Sequence, residues 1–104
     1  MNDEINEIAS ILMYKGTTIK EILQEASLNG YKYKIEDRDK NTIVTIKSYA
    51  PYKLNIVDMY IYDNEENLIK QTLFINGKEK IIFDKYQEAL SLINNINQAS
   101  NIAS

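Results

Sequence analysis

At Gly30 the hydrophobic pattern of this 104-residue chain changes from helical spacing to strict alternation, and near Asp84 it changes back. That double switch restricts the fold to helices, then a sheet, then a helix. Before it, Ile5, Ile8, Ala9 and Leu12 stand at i, i+3, i+4, i+7 within residues 3 to 14, with Asp3 and Glu4 where a helix start favours negative charge. Lys15-Gly16 reads as the end of that stripe. Thr18 and Glu21 then form a capping box, and Ile19, Ile22, Leu23 and Ala26 continue an apolar face as far as Asn29-Gly30. The spacing predicts two short helices, or one broken near Gly16.

Beyond Gly30, Tyr31, Tyr33 and Ile35 alternate with Lys32, Lys34 and Glu36, and TIVTIKSY (42 to 49) is β-branched and strand-like. DRDKN between them suits a hairpin loop but leaves the register open, because one residue more or less flips every face. Pro51 marks a corner or crossing. If DNEEN (63 to 67) is a five-residue loop, Tyr62 faces Leu68, Ile61 faces Ile69 and Met59 faces Gln71. At the last hairpin a three-residue Asn76-Gly77-Lys78 loop, which sets Ile81 against Leu73 and Phe83 against Gln71, is preferred to a two-residue turn because it keeps one face apolar. Asp84 and Gln87 begin a final helix over about 85 to 96, striped by Tyr86, Ala89, Leu90, Ile93 and Ile96.

The expected fold is α+β: two short N-terminal helices, a five-stranded, mainly antiparallel meander, and a C-terminal helix. Residues 1–97 form one domain, and 98–104 read as a frayed tail. The helices are expected to cover the face carrying Val57, Met59, Ile61, Ile69, Leu73, Ile75, Ile81 and Phe83.

Composition narrows the chemistry. The chain has no cysteine and no histidine, which removes thiol nucleophiles, disulfides, zinc sites built on those residues, and imidazole bases. An acidic N-terminus without a long apolar run leads us to expect an intracellular, cytoplasmic protein without membrane contact. Eleven lysines against one arginine, with many Ile and Asn, suit AT-rich coding and hence a low-GC bacterium or its phage.

The most informative stretch for function is NIVDMYIYD (55 to 63), where both strand faces are apolar or aromatic. With helices on one face only, the other would hold Ile56, Tyr60, Tyr62, Leu68, Phe74 and Ile82, interleaved with Lys70 and Lys80. A contiguous apolar patch rich in tyrosine marks a contact surface. The opposing reading is a curled sheet covered on both sides, with these residues in the core. Ile56, Tyr60, Tyr62, Leu68, Lys70, Phe74 and Lys80 are therefore the expected partner-binding residues. Their partner would be a protein or a second copy of the chain, with an inhibitor of a host protein as one setting. Single-stranded nucleic acid, stacked on the aromatics and held by the lysines, is the alternative.

Other signals are weaker. Asp37, Asp39, Asn41 and Asp63, Glu65, Asn67 match the first ligand spacings of a calcium loop, but Thr42 and Leu68 stand where glycine is needed, so plain turns are the better account. TTIKEILQEASLNG resembles the opening of a helix-turn-helix, yet strand-like YKYKIE follows where a recognition helix should. No catalytic, metal or cofactor site is expected, and the chain reads as a non-catalytic binding module.

Overall fold

The computed structural model describes residues 2–50 and 54–103. In chain order they form α1 (Asn2–Met13), α2 (Ile19–Leu28), β1 (Lys32–Arg38), β2 (Asn41–Ala50), β3 (Leu54–Tyr62), β4 (Leu68–Ile75), β5 (Lys78–Asp84) and α3 (Lys85–Ala103). The five strands make one antiparallel sheet in sequence order, an α+β fold. The corner expected at Pro51 lies outside the described residues. The last helix runs well past the expected end near 96, through Ala103.

The local stop and start signals act as written in the sequence. Thr18 caps α2 by accepting a hydrogen bond from the Glu21 backbone N–H at 3.1 Å, and Gly30 leaves the helix at φ +70°. Asp84 caps α3 in the same way through the Gln87 N–H at 3.2 Å. Two hairpins close with both central residues at positive φ, the arrangement that matches strand twist: Asp39-Lys40 and Asn76-Gly77. The last hairpin therefore has a two-residue turn, not the three-residue loop, and Lys80 faces Leu73. A bulge at Ile82 then restores the expected pairing of Phe83 with Gln71.

A second bulge decides the faces. Tyr62 pairs with Leu68 as expected, but Ile61 pairs with Lys70, so Ile69 is the extra residue. Without it Lys70 would lie opposite Tyr60, on the side α2 covers. The bulge sends Lys70, Thr72 and Phe74 to the other side and brings Gln71, Leu73 and Ile75 into line with Tyr60, Asp58 and Ile56.

The core sits between α2 and the face opposite to the expected one. Ile22 and Ala26 of α2 pack with Val44, Ile46, Tyr62 and Leu68, and Ile19, Leu23, Tyr60 and Phe83 close the margin. Tyr62 and Val44 are wholly inaccessible. What reverses the assignment is the polar tip of Tyr62, whose hydroxyl donates to the Thr17 carbonyl just ahead of α2. The Leu68 N–H donates to the Lys15 carbonyl at 2.8 Å, and Gly16, at φ +75°, lies so close that an added Cβ would be 2.6 Å from Leu68 Cβ.

Among the described residues, α2 is the helix that packs against the sheet core. α1 and α3 pack on each other, and α3 touches the sheet at β4. The molecule measures 56 × 31 × 24 Å. A ten-residue strand spans about 33 Å and a nineteen-residue helix about 28 Å, so the long axis requires the helix pair to extend from the end of the sheet rather than fold back over it. The radius of gyration, 17.1 Å, exceeds the ~13 Å of a compact chain this long, as such an arm demands.

Because Tyr62 fills the core, Tyr62→Ala should cost about 3–5 kcal/mol in urea unfolding, as for other buried aromatics. Tyr62→Phe, which loses only the bond to Thr17, should cost about 1 kcal/mol. Equal small effects from both would remove Tyr62 from the core.

Candidate functional site

The seven residues expected to form one contact surface divide between two faces. Ile56, Tyr60, Tyr62 and Leu68 lie on the α2 side; Ile56 and Tyr60 are half-buried, while Tyr62 and Leu68 are fully enclosed and offer no surface to a partner. Lys80 is also on that side, near the edge and exposed. Lys70 and Phe74 alone lie on the opposite face. There the register gathers Ile43 of β2, Val57, Met59 and Ile61 of β3, Thr72 and Phe74 of β4, and Ile81 of β5.

Among the described residues, the core contacts of α2 all fall on the other face. Val57, Met59, Ile61 and Phe74 are half-buried, Thr72 at the centre is buried, and Ile81 is exposed. Most of these residues were expected to be core. What they form is an apolar strip across four strands, continuous because cross-strand neighbours lie within contact distance.

At the β1 edge the strip ends in positive charge. Lys32 lies directly opposite Lys47, with Lys34 opposite Thr45, on the same side as the strip. Like charges in directly opposed positions oppose sheet formation. Among the described residues no carboxylate pairs with Lys32 or Lys47, whereas Lys34 reaches Glu36 at 2.6 Å and Arg38 reaches it at 3.2 Å. The Lys34 ammonium hydrogen-bonds to Glu36 and holds its carboxyl below the usual range. Lys32, Tyr33, Lys34, Thr45 and Lys47 line a depression of about 160 Å³. The alternation of YKYKIE could have revealed this cluster, but only with the first hairpin's register in hand.

Both calcium-like loops are occupied by ordinary turn chemistry. Asp37 Oδ1 accepts from the Thr42 hydroxyl at 3.0 Å beside a two-residue turn. Asp63 Oδ1 accepts from the Glu65 and Asn67 backbone N–H groups at 3.0 and 2.9 Å. Burial works to raise the Asp63 pKa, but those bonds outweigh it and leave it lowered. Among the described residues no cluster of acidic groups is arranged to hold a metal ion, and no helix is long and apolar enough to cross a membrane.

One carboxylate is held at a cost. Asp58 lies half-buried on the α2 side of β3, between Ile46 and Leu73; desolvation raises its pKa, and a hydrogen bond with Gln71 only partly opposes that. Burial, and then the charges of Asp58 and Glu25, raise the neighbouring Tyr60. Asp58 and Tyr60 line a small recess with Glu25 and Tyr31 at the end of α2.

Comparison with protein-family models, curated proteins and solved structures gives no match to this chain.

A carboxyl whose folded pKa is raised stabilises the fold when protonated, and that contribution is lost as pH rises through the folded pKa. Asp58→Asn should therefore raise the melting temperature at pH 7. The gain should shrink as pH falls through the folded pKa toward the ordinary value of 3.8, and level off below it, where the wild-type carboxyl is protonated in both states. Thermal melts of both proteins across that range check it.

Proposed function

We propose that this chain is a non-catalytic protein-binding module whose contact surface is the open face of the sheet. The observation that carries the reading is the apolar strip around Phe74, on the face away from the α2 core and bordered by the Lys32–Lys47 pair. Such a strip costs solubility, and a like-charge pair costs stability, so both argue for a role outside the fold itself. The partner chemistry follows from the two parts: an aliphatic or aromatic anchor for the strip, with carboxylates beside it for the lysines. A cytoplasmic setting and action as an inhibitor of a host protein belong to the same proposal, supported by the composition and small size of the chain.

Single-stranded nucleic acid is the second reading, favoured by the lysine cluster. With Phe74 the one aromatic among the described side chains of the strip, the face offers little to stack bases on, and protein is preferred.

Selection of peptides from an unbiased display library tests this. Binders should be enriched in acidic and large apolar residues and should weaken as salt rises. Phe74→Ser should abolish binding. Lys32→Glu should weaken it while raising stability by up to about 1 kcal/mol, because it converts an opposed like pair into an opposite-charge pair with Lys47. Binders indifferent to both substitutions would overturn the proposal. Tight, salt-sensitive binding of a mixed-sequence oligonucleotide, lost in Lys32→Glu, would favour the second reading.

A further inference from the structure

We infer that the helical arm is a self-association surface, through which two copies of the chain join as a four-helix bundle. This surface is separate from the sheet face and does not depend on the reading given to it. α1 and α3 run antiparallel: the end of α1 meets the start of α3, where the Lys85 ammonium donates to the Tyr14 carbonyl at 3.1 Å and the Tyr14 and Phe83 rings meet edge to face. Ala89 is buried, and Ile8, Ile11, Leu92 and Ile96 are half-buried along the seam expected between the helices.

One step round each helix lies a second apolar stripe that is exposed among the described residues. On α1 it holds Ile5 and Leu12, spaced i, i+7; on α3 it holds Tyr86, Leu90 and Ile93, spaced i, i+4, i+7. These five are between 40% and 56% exposed. Because antiparallel helices turn in opposite senses when viewed from one end, both stripes fall on one side of the pair. The other side is a groove lined by Glu7, Ser10 and Glu88 together with Ile11, Tyr14 and Phe83. The arm is thus apolar on one side and carries acids on the other.

Three features point to a second copy as the occupant. A two-fold interface sets a patch against itself, which repels when the patch is charged and attracts when it is neutral and apolar. After Glu88 no charged residue occurs in the chain, so most of α3 is neutral around its whole circumference. Charge depletion of this kind distinguishes the centre of an interface from ordinary surface. The size also fits. Two helices side by side present a face about 20 Å wide and roughly 18 to 28 Å long, which side-chain relief carries toward the ~800 Å² per partner of a standard interface. Finally, the arm stands clear of the sheet, so a second arm can approach without collision, and a helix pair completed by another is the ordinary four-helix solution.

Light scattering on a size-exclusion column, over a wide range of concentrations, tests this directly. The wild type should show twice the 12.1 kDa chain mass. Leu90→Glu/Ile93→Glu should weaken the dimer by roughly tenfold or more with unchanged sheet content by circular dichroism. Should that pair fail to fold, Tyr86→Lys, at 56% exposed the least confined position, serves instead. Phe74→Ser on the sheet should leave the mass unaltered, so the two surfaces stand or fall separately. A wild-type monomer throughout, a dimer indifferent to the helix substitutions, or one broken by Phe74→Ser would each overturn the inference.

Discussion

The architecture depends on how the short connection between α1 and α2 is tied to one end of the sheet. Three backbone carbonyls accept hydrogen bonds there: Lys15 from the Leu68 N–H, Thr17 from the Tyr62 hydroxyl, and Tyr14 from the Lys85 ammonium. Gly16 permits it, since no side chain fits between that backbone and Leu68. The tie seats α2 on the sheet and at the same stroke directs α1 away from it. Lys85, 4% exposed, is spent on the last turn of α1, where a cation suits the carbonyl end of a helix. One joint thus produces a core on one side of it and an arm on the other.

The elements themselves were legible. The capping residues Thr18 and Asp84, the stop at Asn29-Gly30 and the alternation from Lys32 onward all lie in adjacent residues, where local chemistry is decisive. The faces were not legible, for two physical reasons. The bulge at Ile69 has no glycine to announce it, and it turns Lys70 to the face away from α2. Tyr62 has the look of an interface residue in isolation, and only the Thr17 carbonyl, 45 positions away, makes burying its hydroxyl acceptable. The same non-local logic hid the lysine cluster, which needs the pairing of Lys32 with Lys47 to exist at all.

The open apolar face lies on the opposite side of the sheet from the one expected but keeps part of its expected character. Phe74 and Lys70 remain on open surface; the aromatic pair does not. Tyr60 and Tyr62 pack against α2, leaving the aliphatic strip as the apolar surface on the other side. A strand apolar on both sides can serve a core and a surface at once, and β3 does so by giving Tyr62 to one and Met59 and Ile61 to the other.

The two outer strands have a consequence of their own. β1 carries Lys32 and Lys34, and β5 carries Lys78 and Lys80, so both margins of the sheet bear repeated ammonium groups. Unpaired backbone at such a margin is a template for another strand, and lysines are a common means of blocking it. A chain with this much bare aliphatic surface would otherwise be prone to stack into fibrils. Its lysines tax that route, leaving docking of side chain against side chain as the permitted form of adhesion.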